Sequence, residues 1–262
     1  MKPSRSAVKT LGLQPAIAWS DRPIIEAHNL TKVYRLGEHQ SLRGTLTTLT
    51  GGHRERHTIR ALNDVSFSVA RGDCFGIVGA NGSGKSTLLQ VISQITVPTA
   101  GHAIVRGRVL PLLAVGTGFH PELTGRENVV LFGTVLGFAR RAILERMDEI
   151  IDFAEIGSHI DTPLKRYSSG MQARLSFAVA MLFPAPISIF DEVLAVTDDE
   201  FTTRCLRSIE SIVSDGRTAI FVSHDASLVR RLCTRVMWME HGEVCLVGPT
   251  AEVLDAYHSA HA

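Results

Sequence analysis

Apolar and polar residues alternate through Asp64-Val-Ser-Phe-Ser-Val69, the pattern of a strand with one buried face, and the strand is placed at Ala61 to Ala70. Ile24 to Leu36 reads as strands at a sheet edge, and Cys74 to Val78 as a short apolar strand running into glycines. The period then changes. Leu88, Leu89 and Ile92 recur at helical spacing within Lys85 to Ser93, and Thr124-Gly-Arg-Glu127 has the form of a capping box. Ile143, Leu144, Met147, Ile150 and Ile151 make one stripe, predicting a single helix over Arg140 to Ile156, and a third helix of this block starts near Ser169. Strands return at Ile187 to Phe190, Thr218 to Val222 and Val236 to Met239, with helices at Glu200 to Val213 and Ala226 to Leu232 between them. Such alternation predicts a mostly parallel α/β sheet interrupted by a helical block.

Composition narrows the class. The 262 residues are 45% hydrophobic and 20% charged, enough for a sizeable core. A formal charge of +1 gives no whole-chain attraction to nucleic acid, and no nucleic-acid partner is expected. Cys74, Cys205, Cys233 and Cys245 form no CxxC pair, so they read as reduced, mostly buried thiols rather than metal ligands. Residues 1–23 lack a continuous apolar stretch and read as a loose N-terminal extension without a signal peptide. The longest apolar run, Leu175 to Phe190, is broken by Pro184 and Pro186 and is too short to cross a bilayer. Any membrane process would need a second chain for the membrane part. Between Tyr34 and Ala61 lies a polar, arginine-rich insertion, about 36–60, in which Leu42, Leu46 and Leu49 could form a short amphipathic helix.

The chemistry starts at Gly79-Ala-Asn81-Gly82-Ser83-Gly84-Lys85-Ser86-Thr87, which fits GxxxxGK[ST] after a strand and before a helix. Glycines let backbone N–H groups approach phosphates, and the helix N-terminus adds partial positive charge. Lys85 is expected to reach the outer phosphates, and the Ser86 hydroxyl to ligate Mg²⁺. Pro186-Ile-Ser-Ile-Phe-Asp191-Glu192 is a buried strand ending in two carboxylates. Asp191 is the candidate for holding Mg²⁺, and Glu192 for polarising the attacking water. His224 follows another buried strand and is a candidate γ-phosphate contact, with a plain structural histidine as the equal alternative.

Tyr167-Ser168-Ser169-Gly170-Met171-Gln172-Ala-Arg174 resembles the ABC signature motif, and with the P-loop, Asp191-Glu192 and His224 it identifies the chain as similar to ABC ATPases over about Ile24 to Gly248. The resemblance implies a P-loop NTPase fold with a RecA-like parallel core, an antiparallel β edge, a helical subdomain at about 117–174 and a C-terminal tail helix over 249–262. It also implies a homodimer packed head to tail, in which Ser168, Ser169 and Gly170 act on ATP bound by the other copy. Tyr34 matches the aromatic that stacks on adenine, and Asp198 the acid of the D-loop. Gly107 to Asn128, Tyr167 to Met171 and Asp191 to Phe201 look like the ATPases that export O-antigen, capsule or teichoic acid. That implies two copies of a separate polytopic permease, a lipid-linked glycan as cargo, and a place on the cytoplasmic face of the membrane. The helical block would contact the permease, with Phe119 to Pro121 the candidate docking surface.

Two positions depart from the superfamily pattern. No glutamine lies between Gln94 and Gln172 to serve as the usual Mg²⁺ ligand, so that role is unassigned, with the loop around Val115 to Phe119 a candidate replacement, and Thr197 stands where glycine is usual. The chain ends soon after Gly248, so no added sugar-binding domain is expected. Three rivals fit less well. A DNA- or ribosome-acting ABC ATPase would need a coiled-coil insertion or a second ATPase unit. A P-loop kinase or GTPase leaves the signature unexplained. An ABC exporter of a drug or other lipid keeps the ABC frame and changes the cargo.

Overall fold

A computed structural model describes residues 9–10, 22–35, 58–112, 118–183, 185–191, 199–223 and 225–261. Its strands are β1 (Lys9–Thr10), β2 (Ile25–Arg35), β3 (Thr58–Val69), β4 (Cys74–Val78), β5 (Ala100–Val105), β6 (Val109–Leu112), β7 (Ile187–Asp191), β8 (Thr218–Val222), β9 (Arg235–Glu240) and β10 (Glu243–Pro249). Its α-helices are α1 (Lys85–Ile92), α2 (Gly125–Val135), α3 (Arg140–Glu145), α4 (Met147–Ala154), α5 (Ser169–Leu182), α6 (Asp199–Ser214), α7 (Ala226–Leu232) and α8 (Thr250–His261). The main sheet runs β1-β10-β9-β4-β8-β7-β6, and β3-β2-β5 forms a second, antiparallel sheet. In the main sheet β6, β7, β8, β4 and β9 are mutually parallel, and β10 turns back along β9.

Both faces of the parallel strands are covered, which explains their unbroken apolar runs. Cys74 and Val78 of β4, Phe190 of β7 and Phe221 of β8 enter one core cluster, together with Phe177, Phe201 and Ile209 from the helices. Phe75 and Ile77, Ile187 and Ile189, and Ile220 and Val222 point the other way, against α1 and the antiparallel sheet. The chemistry is thereby confined to the strand ends, where α1 starts and β7 stops.

The helical block has its own core of Val129, Ile143, Met147, Ile150, Ile160, Leu164, Leu175 and Val179. Helix α5 is its wall. From Leu175 to Met181 it is buried all round, and sends Phe177, Ala180 and Met181 into the first cluster while Leu175, Ala178 and Val179 face the helical block. The capping box is present. The Thr124 hydroxyl accepts from Glu127 N at 3.2 Å, and the Glu127 carboxylate accepts from Thr124 N at 2.9 Å. Donation from Thr124 N, and then from the Thr124 hydroxyl at 2.8 Å, holds the Glu127 carboxyl below its usual range.

Where the single helix over Arg140 to Ile156 was expected, α3 and α4 are separate, broken at Arg146 (φ −107°, ψ 10°). The Arg146 guanidinium is drawn to the Leu182 carbonyl at the end of α5 and to Glu149. Ile143, Met147 and Ile150 are buried as the stripe required, whereas Leu144 is exposed. Of the expected extension at 1–23, Lys9–Thr10 pair in parallel with Leu246–Val247, while residues 1–8 and 11–21 lie outside the described residues. β3 starts at Thr58, so Ile59 and Arg60 are strand residues rather than the end of a loop. The rest of the insertion, with Leu42, Leu46 and Leu49, lies outside the described residues.

Asn128 is fully buried and folds the segment after Gly118. Its Oδ1 accepts from His120 N at 2.6 Å, and its Nδ2 donates to the carbonyls of His120, Leu123 and Thr124 at 2.9–3.0 Å. Asn128→Ala should lower stability by about 2 kcal/mol, because it strands several polar groups at once. Thr124→Ala should cost about 1 kcal/mol, the worth of a cap. Urea unfolding of both variants checks the order; equal midpoints would contradict it.

Candidate functional site

A cleft of about 640 Å³ opens where the two sheets meet, lined by Tyr34, Ile59 to Ala61, Asn81 to Thr87 and Asp191. Residues from β2, β3, the β4–α1 loop and β7 thus converge, although up to 157 positions (191 − 34) separate them in sequence. The loop is pinned from behind. Lys85 is buried, and its ammonium donates to the Gly79 and Ala80 carbonyls at 2.7 and 3.0 Å. Gly242 N, in the β9–β10 turn, donates to the Ser83 carbonyl at 3.0 Å, and Gly242 O accepts from Asn63 N at 2.8 Å. Gly84 opens α1 at φ 102°, where a Cβ would lie 2.5 Å from the Ala61 carbonyl, so only glycine fits. The buried Ser83 hydroxyl has no hydrogen-bond partner among the described residues.

On the opposite wall Tyr34 pairs in register with Ile59, giving the cleft a ring beside an apolar side chain. The Tyr34 hydroxyl donates to Gln90 Oε1 at 3.5 Å, and the Lys32 ammonium stands 5.2 Å from the ring centroid. Arg60 donates to Asn63 Oδ1 at 2.9 Å while also lining the cleft. Ile59, Arg60 and Ala61 were missed as cleft residues in the sequence, where Ile59 and Arg60 looked like the end of an insertion and Ala61 like the start of a strand. The register opposite Tyr34 was the signal that could have found them. The cleft therefore offers backbone N–H groups, an ammonium and a helix N-terminus for phosphates, a carboxylate and a hydroxyl for a cation, and a flat apolar wall for a base.

Glu192 and Asp198, with Thr197, lie outside the described residues, as do His224 and most of the loop around Val115. The turn beside His224 is described. Asp225 caps α7 by accepting from Ser227 Oγ at 2.6 Å and Ser227 N at 2.8 Å. The Ser227 hydroxyl, with the backbone N–H groups behind it, keeps the Asp225 carboxyl below its ordinary range.

Ser168, Ser169 and Gly170 are not part of this cleft. They open α5 at the surface, with the Ser168 hydroxyl accepting from Met171 N at 3.1 Å. Tyr167 anchors them. It is buried, and its hydroxyl donates to the His159 carbonyl at 2.6 Å. Burial, with the Asp161 charge behind it, pushes the phenol up to about 12. The ring reaches this place because Gly125 has no side chain; a Cβ there would lie 2.3 Å from the Tyr167 hydroxyl oxygen. Of the expected docking surface, His120 and Pro121 are exposed, but the Phe119 ring packs edge-on against Phe132 at 5.3 Å and belongs to the helical core. Among the described residues, no group of three or more His, Cys, Asp or Glu could hold a metal ion, and no helix is long and apolar enough to cross a membrane.

Comparison with known proteins gives these features a context. Residues 62–195 match the family described as ABC transporter. The O-antigen export system ATP-binding protein RfbB of Klebsiella pneumoniae is 40% identical over 245 residues, covering 92% of this chain and 99% of that one. The teichoic acids export ATP-binding protein TagH of Bacillus anthracis is 42% identical over 197 residues, 75% of this chain and 36% of that one. In fold, the chain is similar to the dimeric ATP-binding cassette MJ0796 bound to ADP and Pi, with a TM-score of 0.70 and 23% identity over 86% of this chain and 98% of that one.

The Gly125–Tyr167 contact generates a test. Gly125→Ala should destabilise the wild-type chain more than a Tyr167→Phe background, with a coupling of roughly 1 kcal/mol or more. A double-mutant cycle in urea checks it. Additive losses would show that the hydroxyl is not what the missing side chain accommodates.

Proposed function

We propose a cargo and a working cycle for this chain, which belongs to the ABC transporter family and is an ATP-hydrolysing subunit related to the polysaccharide and teichoic-acid export ATPases. The cargo is a lipid-linked cell-surface glycan of O-antigen type. It is moved across the cytoplasmic membrane by two copies of a polytopic permease, with two copies of this chain on the cytoplasmic side. The likeness to RfbB over nearly the whole of both chains carries the cargo reading.

ATP is the substrate. Adenine stacks on Tyr34 beside Ile59, and the phosphates lie along the N–H groups of Gly82 to Thr87, including Ser83 and Gly84. Lys85 exchanges its carbonyl partners for phosphate oxygens. Asn81 borders the γ-phosphate end of the cleft. Ser86 and Asp191 supply oxygen donors on the same wall, the donor type a hard divalent cation prefers, so the residues fit Mg²⁺. When bound, Mg²⁺ neutralises charge developing on the phosphate oxygens. Glu192 orients and polarises the attacking water, His224 contacts the γ-phosphate, and Asp198 meets the second copy.

The cleft holds only half of the proposed contacts. Ser168, Ser169 and Gly170 open a helix at the surface elsewhere, which supports their meeting ATP bound by a second copy packed head to tail. Glu192→Gln should keep ATP affinity near normal and lower turnover by roughly two to three orders of magnitude. The same variant should be monomeric without nucleotide and dimeric with ATP, since ATP fills much of the interface. Turnover and light scattering check both statements; wild-type turnover rejects the role of Glu192.

The arginine-rich insertion is proposed to lie at the membrane surface beside the permease, where each cation contributes about 1 kcal/mol toward anionic headgroups or pyrophosphate. Arg60 is excluded from this role because it lines the nucleotide cleft. Arg54→Ser with Arg56→Ser should lower surface glycan in cells while the ATPase rate of the isolated subunit stays unchanged. Undiminished surface glycan would reduce the insertion to a spacer.

A further inference from the structure

We infer that Glu155 is a positioning residue, which locks the helix presenting Ser168–Gly170 to the helix following Asp198 and so sets the geometry of the site shared by two copies. The inference rests on the head-to-tail reading above. Glu155 does not line the nucleotide cleft. It ends α4 in the left-handed region (φ 54°, ψ 37°), a conformation unusual for a residue with a side chain. Its Oε2 accepts from Arg174 Nη1 of α5 at 2.8 Å, and its Oε1 is paired with the Arg204 guanidinium of α6. One carboxylate therefore joins three helices.

A second layer lies with it. Phe153 of α4, Phe177 of α5 and Phe201 of α6 have centroids 5.7–6.3 Å apart, one ring from each of the same helices. The Arg174 guanidinium stands 5.2 Å from the Phe201 centroid, and that of Arg204 stands 5.9 Å from Phe153. Arg204 also donates to the Phe153 carbonyl at 3.2 Å. The two layers differ in what they constrain. Contact between rings is cohesive over a range of helix angles, whereas a carboxylate shared by two planar forks is satisfied in few arrangements. The ionic layer thus fixes direction where the rings give cohesion.

Its place gives it leverage. Arg174 follows Ser168 by 174 − 168 = 6 residues, and Arg204 follows Asp199, the first residue of α6, by 204 − 199 = 5. At 1.5 Å per residue, the two arginines lie about 9 and about 7.5 Å along their helices from those starts. A tilt of α5 against α6 at this joint displaces Ser168 and Gly170 relative to the partner's nucleotide while leaving the cleft of the same chain untouched. The side chains are 23% (Arg174), 35% (Glu155) and 37% (Arg204) exposed, so the joint is partly shielded from screening by salt.

The test uses the full chain with Glu155→Gln, Arg204→Met and the double variant. We measure kcat and KM for ATP, affinity for a fluorescent ATP analogue, the melting temperature and, in a Glu192→Gln background, dimerisation with ATP. Each single variant should lower kcat about tenfold, weaken ATP-driven dimerisation, and leave analogue affinity of the monomer within about twofold. The double variant should be no worse than either single one, because one joint is lost in all three. A lower melting temperature with unchanged kcat per folded molecule overturns the proposal, as do additive losses. Ser168→Arg separates the underlying reading. If it retains wild-type turnover, the head-to-tail site fails. If it is inactive while Glu155→Gln turns over normally, only the positioning role fails.

Discussion

A cradle made of backbone N–H groups must have its own carbonyls and its rear surface held by something else, and much of this molecule is arranged to do that. The Gly79 and Ala80 carbonyls are taken by Lys85, and the Ser83 carbonyl by Gly242 N. The Ala61 carbonyl of β3 leaves no room for a side chain at Gly84. The β9–β10 turn is tied in turn to Asn63 of the antiparallel sheet. Both sheets therefore brace one loop, and their union brings Tyr34 and Ile59 opposite Asp191. The pins from Gly242 and Ala61 keep the backbone N–H donors preorganised for charge, so that only the Lys85 ammonium has to change partners when phosphate arrives.

The elements and motifs that depend on local pattern were legible from the sequence. Period-two alternation found β3, unbroken apolar runs found β4, β7 and β8, and the capping box gave the start of α2. The P-loop and Asp191 could be joined into one site because motif and context fix their mutual position. Information carried by contacts distant in sequence was not legible. The break at Arg146 depends on the Leu182 carbonyl 36 residues away. β5 passed unnoticed because its start, Ala-Gly-His-Ala, gains strand character only by pairing with β2, and β10 because its short apolar run lies between glycine-containing turns, where it pairs back on β9. Ile59 and Arg60 were read as loop because their partner, Tyr34, lies across a 22-residue gap (36–57) outside the described residues. Phe119 looked like a docking residue until its ring was found against Phe132.

The signature segment shows how a motif is presented rather than merely present. Its serines sit at the surface at the start of α5, and their attachment is Tyr167, held by the His159 carbonyl and admitted by Gly125. The Thr124-Gly125 turn and the Tyr167-Ser168 turn are thus two sides of one contact. This gives a physical reason for a tyrosine directly before the two serines.

The buried stretch of α5 bears on how the molecule comes apart. Because α5 is packed into both clusters, it cannot leave without opening both. Helix α4 is tied to α5 and α6 through Phe153 and Glu155. Helices α2 and α3 pack in the helical core through Val129 and Ile143, and would be the first to open locally while the sheet stays closed. In amide hydrogen exchange, α2 and α3 would release their protons early. The middle of α5, though continuous with the helical block in sequence, would keep the protection of the central strands.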